Sequence, residues 1–357
     1  MPDVPFLDGI LSADDVAHTA RSIASVQEDS GAVPWFPGGH VDPWDHVESA
    51  MALSATGLFA EADAAYEWSR RTQRTDGSWP IQIRTGAIED AGSDSNFCAY
   101  IAVGVWHHVL ITGDDGFARR MWPCVRAALD FVLGLQRERG EIEWGRDVDG
   151  NSTGEALLSG CSSIHQSLRC GLALAELAGS PQPDWEVALG QLGHVVRGHP
   201  EVFASKRRYS MDWYYPVLGG AVRGEQGLRR ITERWNEFVV PRWGALCVDD
   251  RPWVTGGETC ELVLSLDALG ERVRARELLA VIQHLREQDG SYWTGYVYED
   301  DKRWPVERTT WTGASVILAA DALSRTTPGN GIFRAEDLPS GLAVEAAACD
   351  CAADLRR

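Results

Sequence analysis

Three carboxylates, in two distant segments of the chain, have the residue types needed for acid–base catalysis. Asp45 lies at the start of one apolar helical run, and Glu258 and Glu261 lie at the start of another. Hydrolysis of a glycosidic bond needs one protonated carboxyl group and one ionised carboxylate on either side of a bound sugar. A separation of roughly 6.5–9.5 Å admits a water molecule and gives inversion, whereas about 5–5.5 Å gives retention. We predict Asp45 as the general acid and draw the base from Glu258 and Glu261, with Glu261 preferred.

Helix capping is the alternative explanation for two acidic positions. Asp42 precedes a proline, as an N-cap residue often does, and Thr255 and Glu258 have the spacing of a capping box. Glu261 lies one turn deeper, among leucine and valine, where capping does not account for it. A carboxylate in such surroundings is costly unless it is paired or used, and burial raises its pKa. Glu48 has the matching position on its own helical run.

Polar and aromatic side chains at the first turns of the apolar helices complete the predicted site. Aromatic faces stack on the C–H faces of sugars, and polar groups bond to their hydroxyls. The predicted substrate-binding residues are Asp42, Trp44, His46, Asp94, His165, Gln166, Asp212, Trp213, Tyr214, Trp253, Trp293, Arg308 and Trp311. Asp212 is also the reserve partner for Asp45. A structural role is the alternative for His46 and His165. We predict no metal and no cofactor, with a metal site at Asp42, Asp45 and His46 as the weaker alternative.

A repeated segment indicates how the chain positions these residues. Glutamine, glycine and tryptophan recur in order within residues 27–35, 73–79, 136–144 and 288–293, and the first three copies each follow an amphipathic helical run. A unit of roughly 20–50 residues that cannot bury its apolar face alone stacks on further copies of itself. The sequence therefore predicts an array of helical units.

Two kinds of helical run alternate along the chain. The amphipathic, charged runs are residues 13–26, 61–73, 115–136, 184–196, 224–238 and 271–287. The runs that are almost uncharged beyond their first turn are residues 43–57, 94–110, 162–177, 212–222, 257–269 and 310–323. Charged helices with one apolar stripe lie on a surface, and helices that are apolar all round are buried. We predict an all-α fold, an α/α toroid of six hairpins with six inner and six outer helices; an open solenoid is the alternative. Residues 1–325 form this single catalytic domain, and residues 326–357 form a covering or disordered tail.

The composition restricts the partners. A formal charge of −19 disfavours nucleic acid and anionic membranes, because both need a basic protein face. The N-terminal residues do not have the pattern of a secretory signal, no apolar run reaches 18 residues, and most of the eight cysteines occur singly in helical patterns. We therefore expect a cytoplasmic protein that acts on a neutral oligosaccharide or polysaccharide. Homo-oligomerisation is left open.

The copy of the repeat at residues 73–79 resembles the repeat of squalene cyclases and protein prenyltransferases. That resemblance implies a toroid scaffold, but the Asp-x-Asp-Asp acid of class II terpene cyclases is absent, since Asp147-Val-Asp149-Gly stops short of it. A terpene cyclase or prenyl-transferring enzyme is therefore one alternative function, and a non-catalytic carbohydrate-binding protein is another.

The segment Pro43-Trp44-Asp45-His46 resembles the Gly-Trp-Asp-Asn segment that carries the general acid in glucosylglycerate and trehalose hydrolases. This resemblance implies the same role for Asp45. Taken as a whole, the chain is also similar to the methylmannose polysaccharide hydrolases of actinobacteria, which are endo-acting α-(1→4)-mannosidases of the α/α-toroid type. This similarity implies a neutral, partly methylated mannan as substrate. Because acids on separate inner helices of a toroid could meet the wider separation, we predict an inverting glycoside hydrolase as the function.

Overall fold

The computed structural model describes residues 3–336 and 338–342, and it consists mainly of α-helices. The helices are α1 Ala13–Ala24, α2 Pro43–Ala55, α3 Phe59–Thr72, α4 Ser95–Ala99, α5 Ile101–Thr112, α6 Asp115–Leu133, α7 Leu158–Leu177, α8 Pro183–Gly198, α9 Ser210–Leu218, α10 Gly224–Glu233, α11 Trp235–Phe238, α12 Gly256–Ala268, α13 Arg272–Val281 and α14 Thr310–Ser324. Short 3₁₀ helices span Pro200–Val202, Ile282–Leu285 and Ile332–Arg334.

Short antiparallel strands, which the sequence did not predict, occupy the links between helices. They are β1 Gln82–Arg84, β2 Ala87–Asp90, β3 Ser93–Asp94, β4 Gly145–Arg146, β5 Val239–Val240, β6 Gly244–Leu246, β7 Trp253–Thr255, β8 Gly295–Val297 and β9 Lys302–Arg303. Strand β1 pairs with β2, β3 pairs with β4, and β5 to β9 form one sheet in sequence order. Strand β7 ends where α12 begins, so this sheet supports the segment that carries Glu258.

Six buried helices contact one another in a closed series. Helix α2 packs on α5, α5 on α7, α7 on α9, α9 on α12, α12 on α14, and α14 returns to α2. Every residue of α2 is buried, as expected for a helix covered on all sides. The helices α3, α6, α8, α10 and α13 each pack against the buried helix that precedes them, and α1 packs on α14. The molecule is thus helix-rich, and its packing is consistent with a helical toroid.

The predicted repeat has a physical basis in hydrogen bonding. Gln27 Nε2 donates to the carbonyl oxygens of Gly31 and Glu61, at 3.0 and 2.9 Å. Gln73 does the same with Gly77 and Cys124, and Gln136 with Gly140 and Ala188. The first acceptor in each pair closes the glycine loop, and the second lies on the next outer helix. Each glutamine therefore joins one unit of the array to the next.

The fourth repeat returns to the first outer helix. A Cβ atom added at Gly290 would lie 2.8 Å from the carbonyl group of His18 in α1, so only glycine permits this approach. Arg286 also forms an ion pair with Asp15 of α1, at 3.1 Å. The last copy of the repeat thus packs against α1, the first outer helix of the chain.

The described residues beyond α14 fold back over the helices. Gln166 donates to the carbonyl of Ile332, Arg223 donates to the carbonyl of Phe333, and the side chains of Ile332 and Phe333 are buried. The boundary drawn at residue 325 stays a prediction. The rest of the predicted tail, including Cys349 and Cys351, lies outside the described residues. Within the described ranges, no helix combines the length and apolar character that crossing a bilayer requires.

Candidate active site

The start of α2 fixes Asp45 in its first turn. Asp42 is the N-cap residue, and its Oδ1 accepts the backbone N–H of Asp45 at 2.9 Å, while Pro43 occupies the first helical position. The capping interpretation of Asp42 is therefore confirmed. It does not remove Asp42 from the site, because its carboxyl group is buried beside that of Asp45.

The environment of Asp45 favours its protonated form. Burial raises the pKa of Asp45 well above its ordinary value, and the charge and hydrogen bond of Asp42 raise it further. The charges of Glu48 and Glu261 act in the same direction. A carboxyl group whose pKa is raised in this way keeps its proton to higher pH, which is the property required of a general acid.

The start of α12 does not contain the capping box that the sequence predicts. Thr255 occupies the N-cap position, yet its side chain makes no capping hydrogen bond. Thr255 Oγ1 and Glu258 Oε2 are both buried without a hydrogen-bond partner among the described residues. Buried polar atoms usually have partners. The interpretation of Glu258 as a cap is thus wrong, and its Oε2 atom lacks a partner that a ligand could supply.

Glu261 is held by two tyrosines. The hydroxyls of Tyr214 and Tyr215 both donate to its carboxylate, that of Tyr215 to Oε1 at 2.7 Å. Burial raises the pKa of Glu261 well above its ordinary value, and the charge of Glu48 adds to the rise. Since both oxygens already accept hydrogen bonds and the residue is only 2% exposed, Glu261 is poorly placed to activate a water molecule. These contacts favour Glu258 over Glu261 as the base, and the choice between them stays a prediction.

Glu48 is a further buried acid that the sequence did not place among the site residues. Its Oε2 accepts the indole N–H groups of Trp44 and Trp311, at 3.1 and 3.2 Å, and its Oε1 accepts the Ser315 hydroxyl at 3.2 Å. Burial raises the pKa of Glu48 to about 7, against the opposing effect of these donors. The matching positions of Glu48 and Glu261 within their helices were the signal that could have identified it.

Trp44 and Trp311 lie at the centre of the site, but much of each ring is already covered. Trp44 stacks on Tyr100 with 3.5 Å between ring centroids. Trp311 stacks on Trp35 at 5.7 Å, and a Cβ atom added at Gly257 would lie 2.3 Å from its Cη2. Trp311 therefore lies directly over Gly257 at the start of α12, and Gly257 is the residue immediately before Glu258.

Asp94, predicted as a substrate-binding residue, has a partner that the sequence did not identify. Its Oδ1 accepts the backbone N–H of Phe97 as a helix cap, and its Oδ2 accepts the indole N–H of Trp144 at 2.6 Å. Burial raises the pKa of Asp94 to about 6, and the charge of Asp42 contributes. The Trp144 side chain is 40% exposed, so part of its ring is accessible beside Asp94.

Three predicted substrate-binding residues have structural roles instead. Both ring nitrogens of His46 are bonded to backbone groups, Nδ1 to the Val33 N–H and Nε2 to the Ala65 carbonyl. This also removes His46 from the metal site considered with Asp42 and Asp45. His165 bonds to the Gly219 carbonyl at 2.8 Å and packs on the outer helix α8. The Gln166 side chain donates to the Ile332 carbonyl, in the segment after α14.

Two aromatic residues predicted as sugar platforms are also corrected. Trp213 is 1% exposed and stacks on Phe238, so neither face is open to a sugar. Tyr214 is fully buried against Glu261. Their neighbour Asp212 does line a cavity, described below.

The remaining predicted residues lie towards the surface. Trp253 donates its N–H to the Trp304 carbonyl and packs edge-on against that ring. Trp293 is half-buried beneath the guanidinium of Arg308, which is itself paired with Asp289 at 2.7 Å. These residues are partly accessible, and within the described part of the chain no hydrogen bond, ion pair or ring contact joins them to the central acids.

Comparison with known proteins agrees with this arrangement. Over 349 residues the chain is 64% identical to the MMP endo-(1,4)-3-O-methyl-alpha-D-mannosidase of Mycolicibacterium hassiacum, spanning 98% of this chain and 96% of that protein. No protein-family model matches.

Solved structures share the fold at low sequence identity. A wild-type glycosidase superimposes with a TM-score of 0.68 at 17% identity, over 87% of this chain and 96% of that one. A D-mannose isomerase superimposes with a TM-score of 0.65 at 10% identity, over 88% and 96%. One scaffold therefore carries different chemistries, and function must be argued from the site and from the full-length relative. On that basis the chain belongs to the glycoside hydrolase family of the M. hassiacum mannosidase.

Proposed function

We propose that the protein is an endo-acting glycoside hydrolase that cleaves α-(1→4) bonds within a 3-O-methylated mannan. The observation that carries this proposal is the 64% identity to a mannosidase of that specificity over almost the whole chain. The buried acidic group at the starts of α2 and α12 supports it independently, because it supplies the two carboxyl groups that glycoside hydrolysis requires.

We assign the acid to Asp45 and the base to Glu258, and propose an inverting reaction. Asp45 gives its proton to the glycosidic oxygen as the bond to the anomeric carbon breaks. A water molecule attacks that carbon from the opposite face, and Glu258 accepts the proton that the water loses. The raised pKa of Asp45 supports the first role, and the unpartnered Oε2 of Glu258 supports the second. Glu48 and Glu261 act as positioning residues beneath this pair.

We further propose that the architecture is an α/α toroid of six hairpins. The closed series of contacts among α2, α5, α7, α9, α12 and α14 supports this, as does the packing of one outer helix on each. In such a ring the first turns of α2 and α12 face the same opening, separated by α14 alone.

The proposed partner is a neutral polysaccharide, and the proposed compartment is the cytoplasm. Cys98, Cys124, Cys161, Cys170, Cys247 and Cys260 are all free thiols, which is the usual state of cysteine in a reducing compartment. A terpene cyclase is less favoured, because the 64% identical relative is a mannosidase and the Asp-x-Asp-Asp acid of class II cyclases is absent from the sequence. A purely binding role does not account for the raised pKa of Asp45.

The test is hydrolysis of a panel of defined oligosaccharides. We expect cleavage of 3-O-methylated α-(1→4)-mannan fragments at internal bonds, seen as product lengths by mass spectrometry, and little cleavage of the corresponding α-(1→4)-glucans. Early NMR spectra should show the β-anomer at the new reducing end. Release of monosaccharide alone would refute endo action, and the α-anomer as first product would refute inversion.

A further inference from the structure

A cavity lies beside the start of α9. Its volume is about 510 Å³, within the range of roughly 300–1,000 Å³ that small-molecule sites occupy. Its walls come from the start of α7, the link before α9, the start of α9 and the end of α10. The lining residues include Ser205, Lys206, Asp212, Arg230, Glu233 and Arg234. None of the acids assigned to catalysis is among them.

Asp212 contributes an unpartnered acceptor to this cavity. The residue is 8% exposed, and its Oδ1 is buried without a hydrogen-bond partner among the described residues. The guanidinium of Arg230 does not neutralise it by direct contact, since Nε and Nη2 of Arg230 donate to the backbone carbonyls of Trp213 and Asp212. A buried carboxylate oxygen without a partner can accept a hydrogen bond from a ligand.

The charges around the cavity indicate the class of ligand. Lys206, Arg207, Arg230 and Arg234 nearly balance Glu201, Asp212 and Glu233. A phosphate or carboxylate ligand would meet the Asp212 carboxylate, whose Oδ1 has no partner among the described residues, and the like charges would repel. A neutral polyhydroxyl compound can donate to the carboxylates and accept from the guanidinium groups, so it satisfies both kinds of lining group.

The cavity is connected structurally to the catalytic acids. Asp212 and Trp213 directly precede Tyr214 and Tyr215, whose hydroxyls hold Glu261. On the adjoining side, Lys206 Nζ lies 5.7 Å from the ring centroid of Trp144, which donates to Asp94. Trp144 therefore contacts both Lys206, which lines the cavity, and Asp94 of the buried acidic group, and it marks the direction in which a polymer would extend from one to the other.

We propose that this cavity is a distal subsite that binds a sugar residue of the polysaccharide chain away from the bond being cleaved, with Asp212 Oδ1 accepting a sugar hydroxyl. The inference rests on the proposed function, which it deepens by assigning a contact for long substrates. It makes the enzyme selective for polymer over short fragments.

The experiment compares Asp212→Ala with the wild type on two α-(1→4)-mannan oligosaccharides, the shortest one that the wild type cleaves and a much longer one. We expect the ratio of kcat/KM for the long substrate to that for the short one to fall about tenfold, the effect of losing one buried hydrogen bond. Ser205→Trp provides a second variant, because it fills the cavity from an exposed loop position without altering Asp212. It should lower the same ratio. Asp250→Asn, at an exposed carboxylate paired with Arg208 outside the cavity, is the control and should leave the ratio at the wild-type value.

The outcomes separate the two proposals. Equal losses on both substrates, or no change in the ratio for either cavity variant, would overturn the distal subsite while leaving the glycosidase function intact. Failure of the wild type to cleave either oligosaccharide would instead overturn the proposed function itself, and the distal subsite with it.

Discussion

The indole N–H of Trp311, on α14, donates to the Oε2 atom of Glu48, on α2, across 3.2 Å. Trp44 donates to the same oxygen, and Ser315 donates to the other. These donors favour the ionised carboxylate, whereas burial opposes it, and the pKa of Glu48 settles at about 7. A group that titrates near neutrality therefore lies beneath Asp45, where its charge bears on the protonation of the catalytic acid.

Replacing Glu48 by Gln should move the alkaline limit of activity to lower pH. The charge of Glu48 raises the pKa of Asp45, and its removal lets Asp45 lose its proton earlier. The pH dependence of kcat/KM measures this directly. An unchanged alkaline limb would show that Glu48 does not act on the acid.

The same substitution should alter the dependence of stability on pH. Because the pKa of Glu48 is about 7 in the folded state and ordinarily 4.5, the folded protein keeps this proton longer than the unfolded chain does. The free energy of unfolding of the wild type should therefore decline as pH rises from 4.5 to 7, by roughly 1–3 kcal/mol from this group. Urea unfolding at pH 5 and pH 8 should show a smaller decline for Glu48→Gln. An equal decline in both proteins would contradict the assignment.

Replacing Asp45 by Asn should abolish proton donation while keeping the fold. We expect kcat to fall by about 10²–10⁴, with oligosaccharide affinity near that of the wild type, measured by calorimetry. Asp250→Asn serves as the control for removal of a carboxylate. Retention of wild-type turnover by Asp45→Asn would remove this residue from the mechanism.

Removing the proposed base should create a variant that a small anion rescues. Azide attacks without needing a base, so Glu258→Ala should regain activity in sodium azide and form a β-glycosyl azide detectable by NMR. Glu261→Ala should not be rescued, because the two tyrosines already occupy its carboxylate. Rescue of the second variant in place of the first would restore Glu261 as the base.

The repeat glycines should be sensitive to substitution for a reason beyond their backbone conformation. Gly77 has a φ of +91°, and a Cβ atom there would lie 2.1 Å from the Ala127 carbonyl oxygen. Gly86 has a similar φ of +79°, with open space around it. Gly86→Ala should cost about 1–2 kcal/mol of unfolding free energy through the left-handed conformation alone. Gly77→Ala should cost clearly more, measured by chemical unfolding; equal costs would show that the close packing is not essential.

The sequence predicted the helices well because their signals are local. The inner run predicted at residues 310–323 is α14, Thr310–Ser324, and the run predicted at 257–269 is α12, Gly256–Ala268. Apolar residues on every face and capping residues at the ends are both properties of neighbouring positions. The strands β5 to β9 escaped prediction because two or three residues are too few to show an alternating pattern.

The roles within the site depended on contacts that no local pattern contains. Tyr215 and Glu261 are 46 positions apart, and Glu48 and Ser315 are 267 apart. The spacing of Thr255 and Glu258 met the local rule for a capping box, but the side chains do not form it. Tertiary packing decides which of several equivalent acids is satisfied and which is left free.

The approach of Gly290 to His18 brings the two extremities of the helical array side by side, held by packing and an ion pair. The same helices would therefore be neighbours if the hairpins followed one another in the chain from a different starting point. A circularly permuted gene, which keeps the segment after α14, joins it to the start of α1 by a linker and opens the chain at the exposed turn around Gly179, would preserve these neighbours. Assembly of the fold then depends on which helices are neighbours in space, and not on the order in which the gene encodes them.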